Sequence, residues 1–147
     1  MSSLIVAQPA DQIGAFVAAV QGEPQPWGNF SALGLVRDGY LVAGVVYNNW
    51  SGAGVCAHIG ALPGRRWMTR AFLRAMFEYP FVQCNRRRIT ALVARKNRHA
   101  RRFVENLGFK HEGCVRHALE RDDWILYGML REECRFLEQP KDRRKAA

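Results

Sequence analysis

A proline-glycine turn followed by two arginines is the first segment whose residue types suit chemistry. Pro63 and Gly64 follow an apolar run, and Arg65 and Arg66 open a stretch with helical spacing. The first amides of a helix lack internal partners and the helix dipole favours negative charge there, so such a turn binds phosphate groups readily. Two solvated arginines on a surface turn are the alternative interpretation. The chain has neither a Walker sequence nor G-x-G-x-x-G, which leaves the common nucleotide folds unsupported.

Histidines and cysteines are the next side chains that can carry chemistry. The spacing of His111, Cys114 and His117 invites a zinc interpretation. Strand side chains alternate between faces, however, and no fourth ligand is evident, so we predict no metal site. The four cysteines form no C-x-x-C pair, and no cationic, apolar leader precedes Asp11. We therefore expect a protein of the reducing cytoplasm without a disulfide framework.

The most distinct element is a helix from Asn97 to Leu107. Its apolar residues Ala100, Phe103, Val104 and Leu107 recur at helical spacing. Asn97 is a favourable N-cap, Gly108 stands where a left-handed residue ends a helix, and Phe109 supplies the hydrophobic contact behind it.

The other elements follow from hydrophobic periodicity and turn residues. Asp11 is the expected N-cap of a first helix that ends at Gly22, and Asp38-Gly39 predicts a hairpin. A second helix is expected from Arg65 to Phe77, interrupted by Pro80. The order predicts an α/β domain around a mixed sheet. The expected strands are Leu4–Ala7, Ser31–Val36, Tyr40–Tyr47, Gly54–Gly60, Ile89–Val93, Lys110–Arg116 and Trp124–Leu130.

Charge is distributed unevenly along the chain. Lysine and arginine number 22 against 13 acidic residues, a formal net charge of +9, yet Arg37 is the only basic residue before Arg65. This asymmetry indicates an anionic partner for the second half: a phosphorylated cofactor, nucleic acid or an acidic protein surface. For any single arginine, the alternative is an ordinary solvent-exposed position that contacts no partner.

Length and composition indicate one globular domain. The chain has 147 residues, of which 48% are hydrophobic and 24% charged. It is long enough to bury a stable core without disulfide bonds or a bound metal ion. No apolar run approaches the roughly 18 residues of a membrane span. We expect a single domain over residues 1–138, a last helical turn within Arg131–Leu137, and a charged tail over residues 139–147.

The pattern around the Asn97 helix resembles that of a known family. The sequence Asn97-x-x-Ala100-x-x-Phe103-Val104-Glu105-x-x-Gly108-Phe109, followed by Glu112-Gly113 and Arg116, is similar to the motif that closes the acetyl-CoA-binding core of GCN5-related N-acetyltransferases (GNAT). Arg66-x-x-Thr69-x-Ala71 is similar to the family's pyrophosphate motif, with Thr69 replacing its first glycine. The resemblance covers essentially Leu35 to Leu130.

This resemblance implies a mixed, mostly antiparallel sheet flanked by helices, with a V-shaped splay between two central parallel strands. Acetyl-CoA is the implied co-substrate, and its pantetheine arm would lie in the splay. Backbone groups would pair with the arm, amides would hold the pyrophosphate, and the last helix would line the other side. The implied cofactor-binding residues are Ile59, Ala61, Arg66, Trp67, Met68, Thr69, Arg70, Ala71, Asn97, Ala100 and Phe103.

Catalytic residues are less sharply indicated. Many family members place a tyrosine immediately before the motif's glutamate to protonate the leaving thiolate, and this chain has Val104 there. Tyr127 and Cys114 are candidate substitutes for that acid, with packing roles as the alternative. His58 is the candidate base because its strand would border the acyl group and imidazole titrates near neutrality. A hydrogen-bonded structural histidine is the competing interpretation.

Three functions compete. The leading one is an acetyl-CoA-dependent N-acyltransferase acting on the amine of a protein N-terminus or a small molecule. The second is a weakly active or non-catalytic protein on the same scaffold, because the chain also resembles small acetyltransferase-like proteins of short-tailed bacteriophages, some of them virion-associated. A protein partner or oligomer fits either. Nucleic-acid binding by the arginine-rich half is the third, without a recognised base-reading module.

Overall fold

One mixed sheet organises the protein in the computed structural model, which describes residues 3–22, 26–64 and 66–137. Within those residues the strands run in the order β1-β2-β3-β4-β5-β7-β6, and only β4 and β5 pair in parallel. The predicted mostly antiparallel α/β fold is confirmed. The elements are β1 (Ser3–Val6), α1 (Ala10–Gln21), β2 (Ser31–Arg37), β3 (Tyr40–Asn48), β4 (Gly54–Ala61), α2 (Arg70–Glu78), β5 (Arg88–Ala94), α3 (Arg98–Leu107), β6 (Lys110–Leu119) and β7 (Asp122–Leu130).

The first helix packs on one face of the sheet. It begins at Ala10 with Pro9 as N-cap, so the prediction of Asp11 as the cap is wrong. Proline suits that position because its fixed φ leads into the helix and it has no amide to leave unpaired. Gly22 ends the helix in the left-handed conformation, as predicted. α1 lies against β2, β3 and β4, where a Cβ on Gly60 would come within 3.3 Å of the Val17 Cα.

The second helix begins later than predicted. It starts at Arg70 rather than at Arg65, because the Thr69 hydroxyl accepts a bond from the Phe72 amide at 3.1 Å and caps it there. Met68, which the predicted helix would have included, lies before the helix and is 52% exposed.

Pro80 does not interrupt the helical segment that follows α2. A π-helical turn, Tyr79–Gln83, carries the chain through the proline. In an α-helix the residue at position 80 would donate its amide to the Met76 carbonyl, and proline has none. The buried Tyr47 hydroxyl donates to that carbonyl instead, at 2.6 Å.

The predicted third helix is confirmed in detail. The Asn97 side chain accepts from the Ala100 amide at 3.1 Å, and Gly108 is left-handed at φ 113°. The Phe109 amide then donates to the Val104 carbonyl. Phe77 packs on both Phe109 and the downstream Phe136, so α2 and α3 share one core on the face opposite α1.

The chain end differs from expectation in its turns. β6 continues to Leu119 rather than ending at Arg116, β7 begins at Asp122 rather than at Trp124, and the turn between them is Glu120–Arg121. The last helical turn is a short 3₁₀ segment, Arg131–Glu133. The predicted tail over residues 139–147 lies outside the described residues, and the single domain over residues 1–138 stays a prediction. Among the described residues, no helix is both long and apolar enough to cross a membrane.

Candidate active site

The two parallel strands separate after three residue pairs. β4 pairs with β5 only over Gly54–Cys56 and Arg88–Thr90. Beyond them, Ala57–Ala61 stays paired with β3 while β5 continues against β7. The resulting gap, called the cleft below, leaves this end of β4 without a strand partner on its β5 side among the described residues. An extended ligand can add to such an edge, and the predicted splay is confirmed.

Ile59 and Ala61 lie on the β4 segment that borders the cleft, and both are partly buried. The Ile59 carbonyl accepts a bond from the Gln21 Nε2 atom at 3.4 Å, which ties the end of α1 to β4. This bond is long for an amide donor. A ligand that pairs with the Ile59 carbonyl therefore has to displace only a weak contact.

The α2 N-terminus faces the same end of β4. With Thr69 as N-cap, Arg70 and Ala71 are the first two helical residues, and their amides lack intrahelical acceptors. Both residues are exposed, as is Arg66, whose carbonyl accepts a bond from the Arg37 guanidinium. The helix N-terminus on which an anion was expected at Pro63-Gly64 lies at Thr69 instead, because residues 66–69 are not helical.

Trp67 connects the segment before α2 with α3. Its ring lies 5.2 Å from that of Phe103 and 6.2 Å edge-on from Phe72. Trp67 and Phe103 are partly buried and pack against the main core. Asn97 and Ala100 begin α3, where the Asn97 oxygen already caps the helix. The contact between Trp67 and Phe103 thus joins the segment before α2 to α3, two of the elements predicted to hold the cofactor.

Tyr127 is buried beneath α3. Its hydroxyl donates to Glu105 at 2.6 Å and accepts from the Arg101 Nε atom at 3.1 Å. Burial is the main cause that raises the pKa of Tyr127. Because its proton is directed to Glu105, donation to a leaving thiolate requires that bond to break.

Cys114 lies apart from the other candidate residues. It is exposed on β6, which forms the edge of the sheet, and it pairs opposite Ile125. His111, on the same strand, packs edge-on against Tyr127 at 5.8 Å. Within the described ranges, no group of three or more potential metal-ligating side chains occurs.

His58 points to the face of the sheet opposite Tyr127. Its Nε2 atom lies 2.8 Å from Asn48 Oδ1, and its ring lies 4.9 Å from that of Trp27. Asn48 donates its Nδ2 group to the Trp27 carbonyl at 3.2 Å, which turns its oxygen toward the histidine. His58 Nε2 therefore carries the proton, and Nδ1 is left as an acceptor.

Burial makes His58 a neutral imidazole. Desolvation lowers its pKa to about 4, since the charged form loses its hydration in this environment. At neutral pH the ring accepts a hydrogen bond without carrying charge. The three candidate catalytic residues therefore occupy three separate places, with only His58 beside the cleft on the α1 face.

Two polar groups at these positions were missed from the sequence. Asn48 is the buried polar residue that orients His58, and Glu105 is the carboxylate that binds Tyr127. Glu105 stands inside the recognised motif, so its position was a usable signal. Asn48 contacts Trp27 and His58, which lie 21 and 10 residues away in the sequence, so no local pattern predicts these contacts.

Comparison with known proteins is informative at the level of structure. No protein-family model matches the sequence, and no curated protein matches it. A dodecameric spermidine N-acetyltransferase from Vibrio cholerae is similar, with a TM-score of 0.74 and 14% identity over 88% of this chain and 94% of that chain. The manganese complex of a spermidine/spermine N-acetyltransferase from the same organism gives 0.71 and 14% over 99% and 97%.

A third solved structure, described as a probable acetyltransferase, has a TM-score of 0.67 and 18% identity over 89% of this chain and 94% of that chain. These likenesses extend over most of both chains. At such low identity they establish the fold. The chain has the fold of the GNAT N-acetyltransferases.

Proposed function

We propose that this protein is a cytoplasmic N-acetyltransferase that uses acetyl-CoA and acts on the amine of a protein N-terminus or a small molecule. The cleft is the observation that carries the proposal. Backbone pairing between β4 and β5 stops after three residue pairs at the centre of the sheet, and two helix N-termini stand beside the opening. A sheet has no structural reason to leave its central strands unpaired, whereas an extended thioester arm requires such an edge.

The residues at the α2 N-terminus fit the pyrophosphate of acetyl-CoA. The Arg70 and Ala71 amides begin α2, and the exposed Arg66 and Arg70 add positive charge. A pyrophosphate at this helix terminus gains both hydrogen bonds and the helix dipole. Thr69 replaces a glycine of the family motif, but its side chain is turned into the helix as the cap and does not cover those amides.

Acetyl transfer then depends mainly on positioning. The cofactor supplies an activated acyl group, and the protein holds the amine nitrogen and the carbonyl in contact. His58 is neutral and offers Nδ1 as an acceptor toward the α1 face, so we assign it to the amine. Tyr127 and Cys114 stay candidate acids, of which Tyr127 lies under α3 and Cys114 on the far edge strand.

A first experiment tests cofactor binding by calorimetry. Acetyl-CoA should bind the wild-type protein, and Ala71→Glu should weaken binding at least about tenfold because its carboxylate repels the pyrophosphate at the α2 N-terminus. Ala71 is exposed, so the variant should fold. Gln83→Glu adds the same charge at an exposed position of the π-helical turn and should bind normally. Lack of binding by the wild-type protein at millimolar ligand would refute the proposal.

A non-catalytic protein on this scaffold is the second candidate. Val104, at the position where many family members have the tyrosine acid, is 5% exposed and belongs to the core. It therefore has neither the chemistry nor the access to serve a thiolate. Thiol release from acetyl-CoA with a panel of amines separates the two candidates. Turnover supports the enzyme, whereas binding without turnover, together with co-purification in a virion or other particle, supports the interaction protein.

A further inference from the structure

Beyond the cleft, no helix of the described residues packs on the face of the sheet that carries His58. α1 covers β2, β3 and β4 on this face, but the corresponding side chains of β5 and β7 remain partly exposed although both strands lie inside the sheet. None of them belongs to the buried clusters or packs against them. We call this surface, together with Val115 on β6, the open groove. Its lining residues on β5 and β7 are Thr90, Leu92, Trp124 and Leu126.

Strand register places the groove and His58 on the same face. Thr90 pairs with Cys56, which lies two residues before His58 on β4, and side chains two residues apart share a face. The alternate residues of β7, such as Tyr127, point into the core beneath α2 and α3. The groove therefore begins at His58, on the side of the cleft away from the two helix N-termini.

The groove is apolar at its centre. Leu92 pairs with Leu126, and the neighbouring Trp124 pairs with Val115, which is 46% exposed. Neighbouring apolar side chains that are partly exposed across several strands favour a binding surface over the exposure of single residues. It is suited to aliphatic or aromatic groups on a ligand.

Two carboxylates on this face, Glu112 and Asp122, are already paired. Glu112 bonds to the Arg88 Nη2 atom at 2.9 Å, and the two side chains cross above Gly128, where a Cβ would collide with both. Asp122 accepts from the Lys96 amide at 2.9 Å and lies 3.7 Å from the Arg95 guanidinium. A pocket of about 380 Å³ at the hairpin end is lined by charges of both signs, Lys96 and Arg121 with Glu120 and Asp122.

A polycation has few carboxylates to bind here, because Glu120 shares the pocket with Lys96 and Arg121. Amines with several positive charges need carboxylates that are free to receive them, and a chain of net charge +9 repels them at a distance. An amine flanked by uncharged apolar groups carries at most one positive charge, so it is repelled less than a polyamine, and it gains burial against the groove.

We propose that the open groove binds the acetyl acceptor, and that the acceptor is a primary amine flanked by apolar groups, such as the N-terminus of a polypeptide with apolar first side chains, rather than a polyamine. This inference rests on the proposed acetyl transfer. In that reaction the amine nitrogen bonds to the acetyl carbon as the carbon-sulfur bond breaks. The nitrogen loses a proton, and the released thiolate takes up one proton to give free CoA thiol.

The test compares two acceptors by thiol release at saturating acetyl-CoA. The probes are a short peptide amide with two apolar N-terminal residues and spermidine. The peptide should have a kcat/KM at least about tenfold higher, the discrimination that a modest apolar contact supplies. A higher kcat/KM for spermidine, or equal values, would overturn the inference.

Variants then locate the discrimination. Trp124→Ala should raise the KM for the peptide about tenfold and leave acetyl-CoA affinity unchanged, and Leu126→Ala provides the same test if the tryptophan variant is unstable. Arg88→Met keeps the aliphatic stem over Gly54 but frees Glu112, so the spermidine-to-peptide ratio should rise. The control, Tyr40→Ser, changes an exposed hairpin residue and should alter neither substrate.

The outcomes separate this inference from the proposed function. If acetyl-CoA binds and both probes are acetylated, but the Trp124 and Arg88 variants change neither the peptide KM nor the spermidine-to-peptide ratio, the open groove is not the acceptor site. The proposed acetyltransferase activity would still hold. Acetyl-CoA binding without turnover of either probe overturns the acceptor class. Failure to bind acetyl-CoA overturns the proposed function, and this inference falls with it.

Discussion

Lowering the pH from about 7.5 to about 5 should destabilise this protein through His58, because the fold holds that ring neutral. Burial lowers the pKa of His58 from 6.5 to about 4. The unfolded chain therefore binds a proton in this range and the folded chain does not. The stability from the neutral ring is fully present above about pH 6.5 and is lost as the pH falls toward 4.

The size of the loss follows from the shift. Near pH 5 the unfolded histidine is almost fully protonated and the folded one largely neutral, which reduces the free energy of unfolding by about 2 kcal/mol relative to pH 7.5. Asp122 and Glu133 have pKa values lowered by hydrogen bonds to Lys96 and Lys110 respectively. They act at more acidic pH and in every variant alike, so a comparison between variants removes their contribution.

Urea denaturation followed by tryptophan fluorescence provides the assay. His58→Gln retains a side-chain N–H for Asn48 but does not titrate, so its stability should change about 2 kcal/mol less than that of the wild type between the two pH values. His99→Gln replaces an exposed histidine on α3 and is the matched control. Parallel pH curves for the wild type and His58→Gln would refute the assignment of a buried neutral imidazole.

Three further substitutions test the packing that shapes the cleft, each by urea denaturation. Asn97→Ala should cost about 1 kcal/mol through loss of the α3 N-cap while Asn97→Asp costs less, and equal losses would contradict the capping role. Tyr47→Phe should cost roughly 1–3 kcal/mol because the Met76 carbonyl beside the proline loses its donor; an unchanged stability would show that water replaces it. Gly60→Val should cost roughly 1–3 kcal/mol because its side chain meets Val17 at the surface of α1, and a neutral result would mean that the helix shifts freely.

The sequence was sufficient where local chemistry decides the structure. The α3 helix has its cap, apolar stripe and C-terminal glycine within twelve consecutive residues, so all three were predictable. The Asp38-Gly39 hairpin likewise has both residues at positive φ, 53° and 86°. The order of strands around the splay came from the resemblance rather than from periodicity.

Contacts between distant segments account for what was missed. Residues 66–69 have a composition that tolerates a helix, and only the Thr69 cap moves its start to Arg70. The passage through Pro80 depends on a phenol from β3, about thirty residues away. The network of Asn48, His58 and Trp27 joins a strand end, a strand and a loop. No spacing rule connects such residues before the chain has folded.

The short contact between β4 and β5 divides the sheet into two halves, of four strands (β1–β4) and three strands (β5–β7). Only three residue pairs of the described ladder join these halves, along a boundary called the seam below. Much of what holds the halves together is the aromatic packing of α2 and α3 behind the seam. A molecule lying in the seam would act as a missing length of strand, and amide hydrogen exchange along both borders should slow together when it binds.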